Sequence, residues 1–187
     1  MSDQASVHIL GVSGSLRRGS FNTAALRAAQ RLAPSGITID VFDLAPIPLY
    51  NEDVRSVGFP PPVEAFRSAI KAADAMLICT PEYNYSVPGV LKNAIDWASR
   101  PPEQPFDGKP IALMGASISM LGSARAQYHL RQSFVYLNGL LLNRPEVMIA
   151  QAQSRFDAAG ELTDEKSREL IVGLLSGLRE WALRLRR

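Results

Sequence analysis

The sequence predicts an α/β protein: a doubly wound parallel sheet of five strands in the order 2-1-3-4-5, with helices on both faces. Three observations point there. Val7–Val12, Ala75–Cys79 and Ile111–Ala116 are short, continuous apolar runs without polar alternation, as expected of strands covered on both sides. Between such runs lie helical patterns at Ala24–Leu32, Val63–Ala73, Val90–Ala98 and Ser123–Leu137, and a repeating strand–helix order calls for parallel strands with crossover helices. Ile37-Thr38-Ile39-Asp40-Val41-Phe42-Asp43 does alternate, which marks a strand near an edge with one side in water.

The remaining segments complete this scheme. Leu44–Pro62 carries prolines at 46, 48, 60, 61 and 62; each removes a backbone donor and fixes φ, so an ordered loop without helix is expected. Asn138-Gly139 ends the fourth helical pattern. Leu140–Asn143 and Glu146–Ile149, split by Arg144-Pro145, read as one broken last strand. Leu170, Ile171, Leu174, Leu175, Leu178, Trp181, Ala182 and Leu185 form one stripe of a long closing helix, with Thr163 expected as its cap. A length of 187 residues fits a single domain, 1–187.

Composition excludes several classes of function. The net charge of +2 is too small for a nucleic-acid surface, and the Arg184–Arg187 cluster has a simpler role at the negative end of a helix. No apolar run approaches a membrane span of roughly 18 residues, and Met1-Ser2-Asp3-Gln4 lacks an export pattern, so a cytoplasmic protein is expected. A lone Cys79 in a buried-looking strand and two isolated histidines, His8 and His129, give neither a disulfide framework nor a metal site.

Chemistry concentrates after the first strand. Ser13-Gly14-Ser15-Leu16-Arg17-Arg18-Gly19-Ser20-Phe21-Asn22-Thr23 joins an apolar run to a helical pattern. Its small residues allow close backbone approach, its hydroxyls and the Asn22 amide can donate hydrogen bonds, and the following helix directs its positive end to the same place. Gly14 and Gly19 have P-loop spacing, but Ser20 stands where the lysine is needed. Ser13 interrupts the glycine pattern of a dinucleotide loop. A terminal phosphomonoester held without metal remains.

Two more loops fall at the same end of the sheet. Thr80-Pro81-Glu82-Tyr83-Asn84-Tyr85-Ser86-Val87-Pro88-Gly89 follows the third strand and faces the phosphate loop across the point where strand order reverses. Tyr83 and Tyr85 offer flat faces for a planar ring, and Asn84 with backbone N–H groups can bond its polar edge. Ala116–Ser123 follows the fourth strand; Gly122 and Ser123 permit close backbone approach and start the next helix. Nucleophile–base or carboxylate constellations are not evident, so no catalytic side chain is assigned.

Gly14-Ser15-Leu16-Arg17-x-x-Ser20-x-Asn22, Pro81-Glu82-Tyr83-Asn84-Tyr85-Ser86 and Lys92-Asn93-Ala94-Ile95-Asp96-Trp97, in this order, resemble the NAD(P)H-dependent FMN reductase family and its bacterial quinone and chromate reductase branch. The resemblance implies a flavodoxin-like fold and bound FMN, with NADPH or NADH as electron donor. It implies quinones, free flavin, azo compounds or chromate-like oxyanions as small-molecule acceptors. By motif, Ser15, Arg17, Ser20, Phe21, Asn22 and Thr23 would hold the FMN phosphate, Pro81 to Tyr85 would border the isoalloxazine, and the loop with Ser117 and Gly122 would close the other side. Family members form homodimers or homotetramers, with Tyr85, Arg125 and Glu146 as candidate contacts. The competing function is a flavodoxin-type electron carrier, which the slightly basic charge disfavours because such carriers dock through strongly acidic surfaces.

Overall fold

The computed structural model describes residues 5–186. Strands β1 (Val7–Ser13), β2 (Ile37–Phe42), β3 (Ala75–Cys79), β4 (Pro110–Ala116), β5 (Leu140–Leu141) and β6 (Val147–Ile149) alternate with helices α1 (Phe21–Leu32), α2 (Glu52–Val57), α3 (Pro61–Ala72), α4 (Gly89–Ala98), α5 (Ala124–Tyr136) and α6 (Glu165–Leu185). All strand pairs are parallel, in the order β2-β1-β3-β4-β5. The broken last strand is real: β5 pairs with Pro110 and Ile111, whereas β6 pairs with Met114 to Ala116 at the other end of β4.

The continuous apolar runs are explained by two cores. Val7, Ile9, Ala75, Leu77, Cys79, Ala112 and Met114 face α1 and α6. Their neighbours Leu10, Val12, Met76, Ile78, Ile111 and Leu113 face α3, α4 and α5. Successive side chains leave a strand on opposite faces, so a strand covered twice needs apolar residues at every position. Gly11 permits close helix packing on the first face, since a Cβ there would lie 2.9 Å from Leu26 Cδ1.

Two local expectations are corrected. The segment 44–62 contains α2, whose start is capped by Asn51 Oδ1 accepting from the Asp53 N–H at 2.8 Å. Pro60 to Pro62 then open α3, where the missing N–H groups cost nothing because first-turn donors have no intrahelical partner. The long closing helix is capped by Asp164, not Thr163. Asp164 Oδ2 accepts from the Ser167 N–H at 3.0 Å, and the Thr163 hydroxyl instead donates to the Arg155 carbonyl at 3.2 Å.

The Lys92–Trp97 motif fixes the loop before α2. Asn93 donates to the Pro48 carbonyl at 2.8 Å and accepts from the Tyr50 N–H at 2.8 Å, while Trp97 Nε1 donates to the same carbonyl at 2.9 Å. Tyr50 packs edge-on against the Trp97 ring. A proline-rich segment with few donors of its own is thus held by side chains of α4.

Candidate functional site

A cleft of about 320 Å³ opens at the carboxyl ends of β1, β3 and β4, lined by residues of the 15–22, 81–83 and 116–118 segments. This is where an open α/β sheet with reversed strand order presents its ligand site. Two of its walls differ in chemistry. Ser15, Arg17 and Ser20 make one wall polar and cationic, whereas Pro81, Tyr83 and Ile118 make the other largely apolar.

The polar wall is shaped by hydroxyls acting on the backbone. Ser20 is the N-cap of α1, its Oγ accepting from the N–H groups of Asn22 at 3.2 Å and Thr23 at 3.3 Å. The Ser20 N–H bonds the Arg17 carbonyl at 3.1 Å, and Ser15 Oγ accepts from the Arg17 N–H at 3.4 Å. The N–H groups of Arg18, Gly19 and Phe21 have no partner among the described residues. Together with the exposed Arg17 guanidinium they form a donor set suited to a phosphate at a helix start.

Several expected residues have other employment. The Asn22 amide, expected to face an anion, is buried and bonds the end of β4, donating to the Ala116 carbonyl and accepting from the Ala116 N–H, each at 2.9 Å. It ties the start of α1 to the sheet. The Thr23 hydroxyl bonds Ser13 Oγ at 2.9 Å, and Thr23 lies outside the cleft lining. Phe21 lies on the lining, with the Arg17 guanidinium over its ring.

The loop after β3 is a two-residue hairpin. Tyr83 and Ser86 exchange backbone hydrogen bonds of 3.1 and 3.0 Å, and Asn84 and Tyr85 at the tip both have positive φ, 48° and 67°. Asn tolerates this conformation and Tyr does so at a cost, so the turn is held by its surroundings. Tyr83, half exposed, reaches the cleft. Tyr85 does not line it; its ring is covered by the Arg125 guanidinium, 3.4 Å from the centroid, and Asn84 likewise stays outside the lining.

Glu82 supplies the support. Its nearly buried carboxylate accepts from the N–H groups of Arg125 at 3.0 Å and Ala126 at 3.3 Å, and from Arg125 Nε at 2.6 Å. It therefore caps α5, a role that the local residue Ser123 does not perform, while Glu82 also lines the cleft. Burial alone would raise this carboxyl; the hydrogen bonds from Arg125 and Ala126 outweigh it and hold the group below the usual glutamate range. Residues 82 and 125 are far apart in the chain, so nothing in their local patterns announces the pair.

On the third side, Ser117 lines the cleft and its Oγ accepts from the Ser119 N–H at 3.1 Å. Gly122 does not. With φ of 53° it packs on β6, and a Cβ there would lie 2.5 Å from the Met148 carbonyl carbon. Ala116 and Ile118, not singled out from sequence, complete the lining. Burial pushes the Cys79 thiol far up, so this residue is an inert member of the core. No group of three potential metal ligands occurs among the described residues.

Residues 7–154 match the family model of NADPH-dependent FMN reductases. The chain belongs to this family. An NAD(P)H-dependent FMN reductase of Pseudomonas aeruginosa is 61% identical over 186 residues, covering 100% of both chains. A quinone reductase of Escherichia coli K12 is 43% identical over 183 residues, covering 96% of this chain and 97% of its own. Among solved structures, the FerB flavoenzyme NAD(P)H:(acceptor) oxidoreductase of Paracoccus denitrificans superimposes with a TM-score of 0.86 at 33% identity, covering 95% and 98% of the two chains. The fold is flavodoxin-like, and the family is one of oxidoreductases that use FMN and a reduced nicotinamide.

FMN fits the cleft by the chemistry of its donors. A terminal phosphate matches Arg17, the Ser15 hydroxyl and the open N–H groups at the start of α1, while a flat ring matches the Pro81, Tyr83 and Ile118 side. Leu16 and Met120, exposed in adjoining loops, add apolar surface nearby.

Proposed function

We propose that this member of the family binds FMN in the cleft at the ends of β1, β3 and β4 and reduces quinones with NADPH or NADH. The observation that carries this is the pairing, in one cleft, of a cationic hydroxyl-rich wall at a helix start with an apolar wall behind the 83–86 hairpin. FMN, when bound, supplies hydride acceptance and donation. Ser15, Arg17 and Ser20 bind and orient the phosphate end; Pro81 and Tyr83 position the ring; Ser117 borders its other side. No side chain is needed as nucleophile or base. Free flavin, azo compounds and chromate-like anions belong to the same proposal as acceptors, since an open flat site admits many shapes.

We place the reductase in the cytoplasm as one FMN-binding unit per chain, assembled as a homodimer or homotetramer. No helix among the described residues is long and apolar enough to cross a membrane. Exposed Tyr85, Tyr128, Val135 and Tyr136 support self-association.

The test is rapid-mixing spectroscopy of the FMN-loaded protein. Anaerobic NADPH or NADH should bleach the flavin absorbance before any quinone is added, and double-reciprocal plots at several quinone concentrations should be parallel. Bleaching that requires a second protein would instead identify an electron carrier.

A further inference from the structure

Beside the cleft, a second groove of about 280 Å³ runs down the outer side of α1, between that helix and the 157–161 loop. Ser20 and Phe21 line both spaces and form their common wall. Ser20, Ala24, Arg27 and Arg31 follow one another at helical spacing, so one stripe of α1 leads from the phosphate loop into the groove. Arg18 stands at its head.

The charges here do not cancel. Two acidic residues line the groove against three arginines, Arg18, Arg27 and Arg31, which leaves one positive charge in excess. Asp157 Oδ1 accepts from the N–H groups of Ala159 at 2.9 Å and Glu161 at 2.8 Å, closing its own turn. Glu161 pairs with Arg31. Arg27 lies four residues before Arg31, a like-charged spacing that opposes helix formation, and neither Arg27 nor Arg18 has an ion-pair partner among the described residues. Arg18 and Arg27, neither of them in an ion pair, give this concave site its positive excess, and their planar donor forks suit a phosphomonoester.

We infer that the Arg18–Arg27 groove receives the 2′-phosphate of NADPH and gives this reductase its preference for NADPH over NADH. The inference rests on the reading of the cleft as an FMN and nicotinamide site. A donor whose nicotinamide stacks near Tyr83 must let its adenosine half leave the cleft across one of the walls. The Ser20–Phe21 wall is shared with the groove that Arg18 and Arg27 line, and neither arginine has an ion-pair partner among the described residues. NADH has no group to place there.

The test uses the FMN-loaded protein and calorimetric titration with 2′,5′-ADP, 5′-AMP and inorganic phosphate. The expected result is that 2′,5′-ADP binds at least tenfold more tightly than either of the others. Arg27→Ala should remove that advantage roughly tenfold to a hundredfold, as for loss of a charge-assisted hydrogen bond, and Arg27→Lys should restore part of it. In steady state, Arg27→Ala should lower the ratio of kcat/KM for NADPH to that for NADH by about tenfold or more. Equal affinity for 2′,5′-ADP and 5′-AMP, equal affinity for inorganic phosphate, or an unchanged NADPH/NADH ratio in the variant would overturn the assignment. Failure of the underlying reading looks different: neither nicotinamide would bleach the flavin in the unsubstituted protein.

Discussion

At the scale of single residues, the proposed site separates side chains assigned to the ligand from side chains that hold the cleft together. Arg17 is exposed and free of structural duty beyond its contact with Phe21. Arg17→Ala should therefore raise the FMN dissociation constant roughly tenfold to a hundredfold, the effect of losing a charge-assisted bond of about 1.5–3 kcal/mol, with the fold intact. Fluorescence titration of the apoprotein with FMN checks this. Asn22 belongs to the other class. Asn22→Ala leaves the Ala116 N–H and carbonyl without partners in a buried place, so stability should fall by about 2–3 kcal/mol. Chemical denaturation should show that loss even in protein free of flavin, which distinguishes a structural tie from a phosphate ligand.

At the scale of elements, the hairpin that lines the cleft is held by α5 through Glu82 and Arg125, with His129 Nδ1 a further 3.0 Å from Ser86 Oγ. Glu82 has a carboxyl depressed below its unfolded value of about 4.3. Its contribution is thus complete above that value and fades as pH falls through the lower folded value. Glu82→Gln should cost about 1 kcal/mol at pH 7, the size of a lost helix cap. Urea denaturation curves of the two proteins should converge as the pH drops below about 4. A gap that persisted undiminished at low pH would mean that Glu82 acts through packing and not through its charge.

At the scale of the whole molecule, the proposed cofactor joins three loops from three strands, so binding and stability must be linked. A hundredfold excess of FMN over its dissociation constant should add about 2.7 kcal/mol, or roughly 5–11 °C in Tm for a chain of this size. The Arg17→Ala protein at the same FMN concentration should show a visibly smaller shift, because tenfold weaker binding removes about 1.4 kcal/mol of it. Differential scanning calorimetry with and without FMN measures both.

What the sequence determined by itself was what local periodicity and short motifs govern: parallel strands from unbroken apolar runs, the broken last strand from Arg144-Pro145, and a serine-rich loop joining the first strand to the first helix. These signals are local because a twice-covered strand must be apolar throughout and a strand-to-helix loop is short. The short helix Glu52–Val57 was hidden among prolines that exclude helix only at their own positions. Only the tertiary structure decided how donors and acceptors divide between ligand and scaffold. Asn22 and Glu82 both line the cleft, and each also bonds backbone that the chain brings to it from far away, at Ala116 and at the start of α5. Buried backbone N–H and carbonyl groups must find partners, and which side chains answer that demand depends on which strand ends and helix starts the fold sets side by side.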